Sequence, residues 1–271
     1  MAANPTTSPA EQPPLESPLP REVLTELYAS MLKARLLARR RGTPSFAEAL
    51  VAGALQNADK EDVIVAARPD PVLEVLRGAE LSTIARPRLK NSDNDVDQSK
   101  VLVAGEDAAA GVAAGIALAL KRKGSNSLVL AFMEGSRARG QSWEQATAFA
   151  SHHRSPVVYV ADWTGGRQSR AQKAGVEPWP FPHIAVDGRD VIAVYRVTKE
   201  AIAAARRGHG PTMVDGINFL APGSRGRDER DPILSFRGYL KRHNAWSDKW
   251  NKRLEERLKD EVSAKPPKKK A

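Results

Sequence analysis

The chain has 271 residues, 41% of them hydrophobic, with no cysteine, five histidines and a formal net charge of +10. That length suits one large α/β domain or two small ones, and the apolar share excludes disorder of the whole chain. The lack of cysteine excludes disulfides, thiolate metal sites and a cysteine nucleophile.

Residues 1–20 hold six prolines among Ser, Thr and Glu, the composition of an extended, disordered arm. A helix is expected from near Arg21 to Arg41, because Val23, Leu24, Leu27, Tyr28, Met31 and Leu32 follow the 3.6-residue period. Arg39, Arg40 and Arg41 end it, where cations suit the helix dipole. Ser45 with Glu48 has the spacing of a capping box for a second helix running to about Asn57. From Asp62 the chain alternates. "DVIVAA" reads as a strand, and "PVLEVLRG" as a short helix ending at Gly78. Asn91 to Lys100 is polar and reads as a loop; "VLVAG" reads as a short strand or as the lead-in to the next helix. "EDAAAGVAAGIALALKRKG" is a helix closed by basic residues and Gly124. "LVLAFM" is a strand, Ser142 to His153 a helix, and "PVVYVA" a strand. "HIAVDG" and "PTMVDGI" are two more strands, with a helix from about Asp190 to Arg207 between them. Asp231-Pro232 starts a helix with proline at its first position. Ala245 to about Val262 is charged and helical. Ala264 to Ala271 is a basic tail carrying Lys265, Lys268, Lys269 and Lys270.

No segment reaches the roughly 18–20 apolar residues of a membrane span, and the first residues lack the basic-then-apolar pattern of a signal peptide. A cytoplasmic protein with no membrane contact is expected. No aromatic residues interleave with basic ones on a strand, so a nucleic-acid platform is not indicated.

Strands alternating with helices predict an α/β fold: a mostly parallel sheet covered by helices on both faces, in a single domain over residues 21–263. Ligands in such sheets bind beyond the carboxyl ends of the strands, where the connections diverge. The ends of "LVLAFM" and "PVVYVA" are the two places singled out, and an acid follows each: Glu134 and Asp162. A Mg²⁺ holding a diphosphate wants hard oxygen ligands in octahedral geometry. Glu134 supplies one, and Asp162 or Thr164 a second. Ordinary loop residues are the competing reading of the same two acids.

The order of these elements resembles the alpha subunit of thiamine-diphosphate-dependent 2-oxo-acid dehydrogenases, the pyruvate dehydrogenase type. "GVAAGIALALKRKG", "LVLAF", "MEGSRARGQSWEQATAFA", "SPVVYV" and "ADWTGG" follow one another as that family's Ala/Gly-rich helix, strand, Gly-Asp-Gly loop and helix, strand, and Glu-Asn-Asn turn do. "VDGRDVIAVYRVTKEAIAAARRGHGPTMVDGINF" and "LYASMLKARLLARR" extend the likeness, with gaps, over about residues 21–240. The resemblance implies the thiamine-diphosphate-binding fold, with thiamine diphosphate and Mg²⁺ as cofactors. It places the metal on Glu134 and Thr164, and the cofactor against Glu134, Gly135, Ser136, Arg137 and Thr164. It also implies a beta-type partner subunit in a hetero-oligomer, and a small 2-oxo acid as substrate.

The functional positions depart from the family pattern. Its metal-binding Asp falls on Glu134, one methylene or about 1.5 Å longer, where Mg²⁺–oxygen distances of about 2.1 Å tolerate little change. Its metal-binding Asn falls on Thr164, the preceding Asn on Trp163, and the loop's own Asn on Ala138. Its Gly-His-Ser segment becomes Gly223-Ser224-Arg225, and the Tyr-Arg before that becomes Phe219-Leu220. Its Tyr-Arg-x-His becomes Arg68-Pro69-Asp70-Pro71, and residues 79–105 are too short for its Gly-Ser-Met-His stretch. No general acid or base stands out, although His152, His153 and His183 are present, so the catalytic residues are unknown.

Two functions follow from the resemblance. One is an enzyme subunit in oxidative decarboxylation of a 2-oxo acid, with transfer to a lipoyl group. The other is a pseudoenzyme: a non-catalytic assembly or regulatory subunit. A third, an anion- or nucleic-acid-binding protein, rests on net charge, although Arg137 and Arg139 at a helix N-terminus suit an anion. Ala108, Gly111, Gly115 and Ala119 let another backbone approach their helix, either the chain's own sheet or a partner.

Overall fold

The structure, a computed structural model, describes residues 19–41, 46–79, 101–164, 180–218 and 231–263. Most of the proline-rich arm, Ser45, the polar stretch Asn91 to Lys100, Phe219-Leu220, Gly223 to Arg225 and the basic tail lie outside the described residues.

The elements are α1 (Arg21–Arg41), α2 (Glu48–Leu55), β1 (Val63–Ala66), α3 (Pro71–Leu76), β2 (Val101–Val103), α4 (Ala109–Arg122), β3 (Val129–Glu134), α5 (Gln141–His152), β4 (Val157–Asp162), β5 (His183–Asp187), α6 (Val191–Arg206), β6 (Thr212–Ile217), α7 (Pro232–Arg242) and α8 (Asp248–Ser263). They follow the sequence-based expectations in kind and order, with "VLVAG" resolved as a strand. Ser45, one half of the expected capping box on α2, lies outside the described residues. Ala47 is the N-cap, and Glu48 pairs with Arg35.

Six strands form one parallel sheet in the order β2-β1-β3-β4-β6-β5. Strands buried on both faces read as continuous apolar runs, as "LVLAFM" and "PVVYVA" do. Successive residues point to opposite faces. Leu130, Phe132, Val158, Val160 and Val214 therefore meet Leu50, Val51, Leu73, Val194 and Ile202 of α2, α3 and α6. Val129, Ala131, Met133, Val157, Tyr159 and Met213 meet Ala113, Ala117, Trp143 and Ala150 of α4 and α5. Burying each large aliphatic or aromatic side chain contributes about 1.5–3 kcal/mol. Helix α2 crosses α6 closely because Gly53 faces it: a Cβ there would lie 2.8 Å from Val194 Cγ1.

A third apolar cluster is helical. Leu24, Leu27, Tyr28 and Met31 of α1 pack on Ile233, Phe236 and Leu240 of α7 and on Leu254 and Leu258 of α8. Arg35 of α1 ties α7 and α2 together, donating to both Asp231 oxygens at 2.7 Å as well as to Glu48. Burial works against the Asp231 charge, but the Arg35 bond and the amides of Leu234 and Ile233 outweigh it, so its carboxyl is held below the usual range.

Candidate functional site

The strand order decides where a ligand crevice falls. From β1 the chain steps outward to β2, then returns to the far side of β1 for β3 and continues away. The connections therefore diverge between β1 and β3, not at the β3/β4 pair that the sequence singled out. Strand order is a tertiary property, and it brings Arg68, just past β1, to the site.

Glu134 and Asp162 end β3 and β4 as register partners. The Glu134 carboxylate meets Arg68, with Nε 3.3 Å from Oε1; the Glu134 side chain is 42% exposed. The Arg68 guanidinium also lies over the Phe46 ring, 4.6 Å from its centroid, which fixes its plane and direction. Phe46 is placed by the segment entering α2. Its amide donates to Asp70 Oδ2 at 2.9 Å, and the Ala47 amide donates to Asp162 Oδ2 at 2.8 Å. Residues 46 and 47 thus cross the carboxyl ends of the strands, tied down at β1's end and at β4's. Asp70 is fully buried and also caps α3 through the Val72 amide at 2.8 Å.

The other oxygen of Asp162 is engaged within its own turn. It accepts from the Thr164 amide at 2.8 Å and from the Thr164 hydroxyl at 2.6 Å. The hydroxyl's single proton is therefore committed, and only its lone pairs remain. Thr164 is further fixed by Asn218 Nδ2, which donates to its carbonyl at 2.8 Å. Its Cγ2 sits against Gly188, where a Cβ would approach to 2.7 Å.

Between these residues stands Trp163. Its amide donates to the Gly216 carbonyl at 2.9 Å, and its indole Nε1 donates to Asp215 Oδ1 at 3.0 Å. Asp215 Oδ2 lies 2.5 Å from His183 Nε2. The indole lies across Gly135, the first residue of a 3-10 turn, Gly135–Arg137. Within that turn Ser136 is exposed, and Arg137 is paired with Glu106, Nε to Oε2, at 2.9 Å. Gly140, at φ 89°, turns the chain into α5, whose N-terminus has no side-chain cap.

The structure thus gathers Glu134, Gly135, Ser136, Arg137 and Thr164 at one end of the sheet, and it adds residues that sequence reasoning did not assign. Arg68 was visible as part of a replaced segment, but nothing in its spacing aimed it at Glu134. Phe46, Asp215 and His183 carried no local signal. Among the described residues no group of three or more His, Asp or Glu is placed to hold a metal ion. None of the described helices is long and apolar enough to cross a membrane.

Similarity to known proteins agrees with this layout. Residues 44–270 match the family model described as dehydrogenase E1 component. The pyruvate dehydrogenase E1 component subunit alpha of Acholeplasma laidlawii is 32% identical over 181 residues, covering 56% of this chain and 51% of that protein. The protein of the same name from Staphylococcus aureus strain Mu50 is 28% identical over 180 residues, covering 56% and 48%. That from Staphylococcus epidermidis strain RP62A is 28% identical over 177 residues, with the same coverage. The chain spans about half the length of the curated relatives it matches. On the matched family model, the parallel sheet and the order of its elements, the chain belongs to the dehydrogenase E1 component family, as an alpha-type member.

Proposed function

We propose that this chain is an alpha-type subunit of a thiamine-diphosphate-dependent 2-oxo-acid dehydrogenase whose own metal and diphosphate positions are closed, so that it serves assembly or regulation beside a beta-type subunit. The family generally uses thiamine diphosphate with a divalent metal, and its alpha subunits pair with beta subunits. The observation that carries the reading is the Arg68–Glu134 pair. A divalent cation at Glu134 would have to displace a guanidinium that is stacked on Phe46, and it would be repelled while that cation stays. The remaining donors do not compensate. Both Asp162 oxygens hold backbone or hydroxyl protons, and the Thr164 hydroxyl points its proton at Asp162. A neutral hydroxyl is a weak replacement in a site that needs hard, preferably anionic oxygen at about 2.1 Å.

The active alternative has one observation in its favour: Glu134 is half exposed at the end of a central strand. In that reading Arg68 swings away and Glu134 and Thr164 hold Mg²⁺. Gly135, Ser136 and Arg137 then receive the diphosphate, and a small 2-oxo acid is the substrate.

Isothermal titration of thiamine diphosphate with Mg²⁺ into the chain, alone and with a co-expressed beta-type subunit, separates the two. The closed site gives no binding at millimolar cofactor and no change in unfolding temperature. A bound cofactor at 100 times its Kd would stabilise the fold by about 2.7 kcal/mol. Such a shift, abolished by Glu134→Ala, would overturn the closed reading.

A further inference from the structure

Arg68 accounts for the metal position, and a second residue accounts for the diphosphate position. A Cβ built on Gly135 would fall 2.0, 2.1 and 2.4 Å from Cδ2, Cε2 and Cγ of Trp163. The ring therefore rests directly on the glycine's Cα, at the face of the turn that closes β3. Gly135 is not among the glycines with positive φ, so its backbone conformation does not call for glycine; the indole does. The ring is held from three strands. Its own backbone leaves β4 and bonds to Gly216 of β6, its Nε1 donates to Asp215 of β6, and Asp215 is braced by His183 of β5. Its inner edge packs on the apolar face that includes Met133, Ala138 and Ala161.

We propose that Trp163 is a built-in plug that occupies the space a phosphate needs to reach the backbone of the Gly135–Arg137 turn, so that the chain excludes diphosphates by shape as well as metal by charge. The inference rests on the reading above that this turn is the counterpart of the family's cofactor loop. A phosphate oxygen must come within about 3 Å of a backbone N–H to bond it. An indole in contact with the same residue, anchored by a hydrogen bond to Asp215, competes with a phosphate for the space beside Gly135. The two devices are independent. Arg68 acts on Glu134 from the β1 side, and Trp163 acts on Gly135 from the β4 side.

The test uses the full chain and its Arg68→Ala, Trp163→Ala and doubly substituted variants, with thiamine diphosphate plus Mg²⁺ as titrant and far-ultraviolet circular dichroism as the check on folding. The double variant is expected to bind at least about tenfold more tightly than Arg68→Ala alone, a difference of about 1.4 kcal/mol. Equal binding by Arg68→Ala and the double variant overturns the plug and leaves the Arg68 reading standing. Binding by the unsubstituted chain overturns both. A folded double variant that does not bind overturns the plug. Where Trp163→Ala does not fold, Trp163→Leu keeps apolar volume against the sheet and carries the same expectations.

Discussion

Replacing Gly135 with alanine puts the placement of Trp163 on a thermodynamic scale. The new methyl would sit 2.0 Å from the indole, where carbon–carbon contact needs about 3.5–4.0 Å. The ring must retreat by about 1.5 Å or more. A retreat of that size breaks the 3.0 Å bond from Nε1 to Asp215. Overpacking costs about 1–3 kcal/mol, and losing a hydrogen bond to a charged group about 1.5–3 kcal/mol. Part of the strain is relieved when the ring leaves, so a net loss of about 2–4 kcal/mol is expected. In a Trp163→Ala background the clash is absent. There Gly135→Ala only restricts the unfolded chain, giving a change between zero and about 1 kcal/mol of stabilisation. The coupling between the two sites is then about 2–5 kcal/mol, well above the few tenths expected of independent positions. Urea unfolding of the four proteins, followed by circular dichroism, measures it. If Gly135→Ala costs the same with and without Trp163, the ring does not rest on that glycine and the plug has no foundation.

Other substitutions probe the frame around the site. Gly53→Ala drives a methyl into Val194 and should cost about 1–3 kcal/mol in urea unfolding; a neutral effect would mean that α2 and α6 are not in close contact. Asp62 is fully buried and accepts from the Leu128 and Asp59 amides and from Arg206. Asp62→Ala strands the buried Leu128 amide, while Arg206 keeps Asp59 and the Asn126 carbonyl, so it should cost about 1–3 kcal/mol, and a neutral effect would contradict the network. Burial raises the Asp187 carboxyl above its usual range, outweighing the bond from the Arg189 amide. The folded state then holds that proton to higher pH than the unfolded chain does, so the residue's contribution to stability falls as pH rises from the ordinary carboxylate value toward the raised one. Asp187→Asn should therefore stabilise the protein at neutral pH, by an amount that shrinks toward about pH 4. A gain that does not vary with pH would refute the cause given.

In the proposed reading, Glu134, Trp163 and Thr164 stand where the resemblance expects a shorter acid and two asparagines, and the contacts with Arg68 and Gly135 hold two of them in position. None of these changes disturbs the sheet. Val129 to Met133 and Val157 to Ala161 are fully buried apolar residues whose packing is indifferent to what stands beyond the strand ends. A fold can therefore persist while its site changes, because the apolar runs and the terminal polar residues answer to different forces.

The sequence by itself determined the elements and their class. Periods of 3.6 and continuous apolar runs are local properties, so α1, α4, α6 and strands β3, β4 and β6 were legible residue by residue. The same was true of Asp231-Pro232 opening α7, and of the family to which the order of elements belongs. It also located Glu134, Gly135 and Thr164 at strand ends. Only the tertiary structure decided the strand order, which moved the point of divergence to β1 and β3 and turned Arg68 toward Glu134. Only it showed that Ala47 stands at the N-cap of α2 and that Glu48 pairs with Arg35. And only it laid the ring of Trp163 on Gly135, since the contact depends on the spacing between β4, β6 and β5 and on an aspartate fifty-two residues further along the chain. Local periodicity records which side of an element is apolar; it holds no record of which distant side chains will share the space beyond its end.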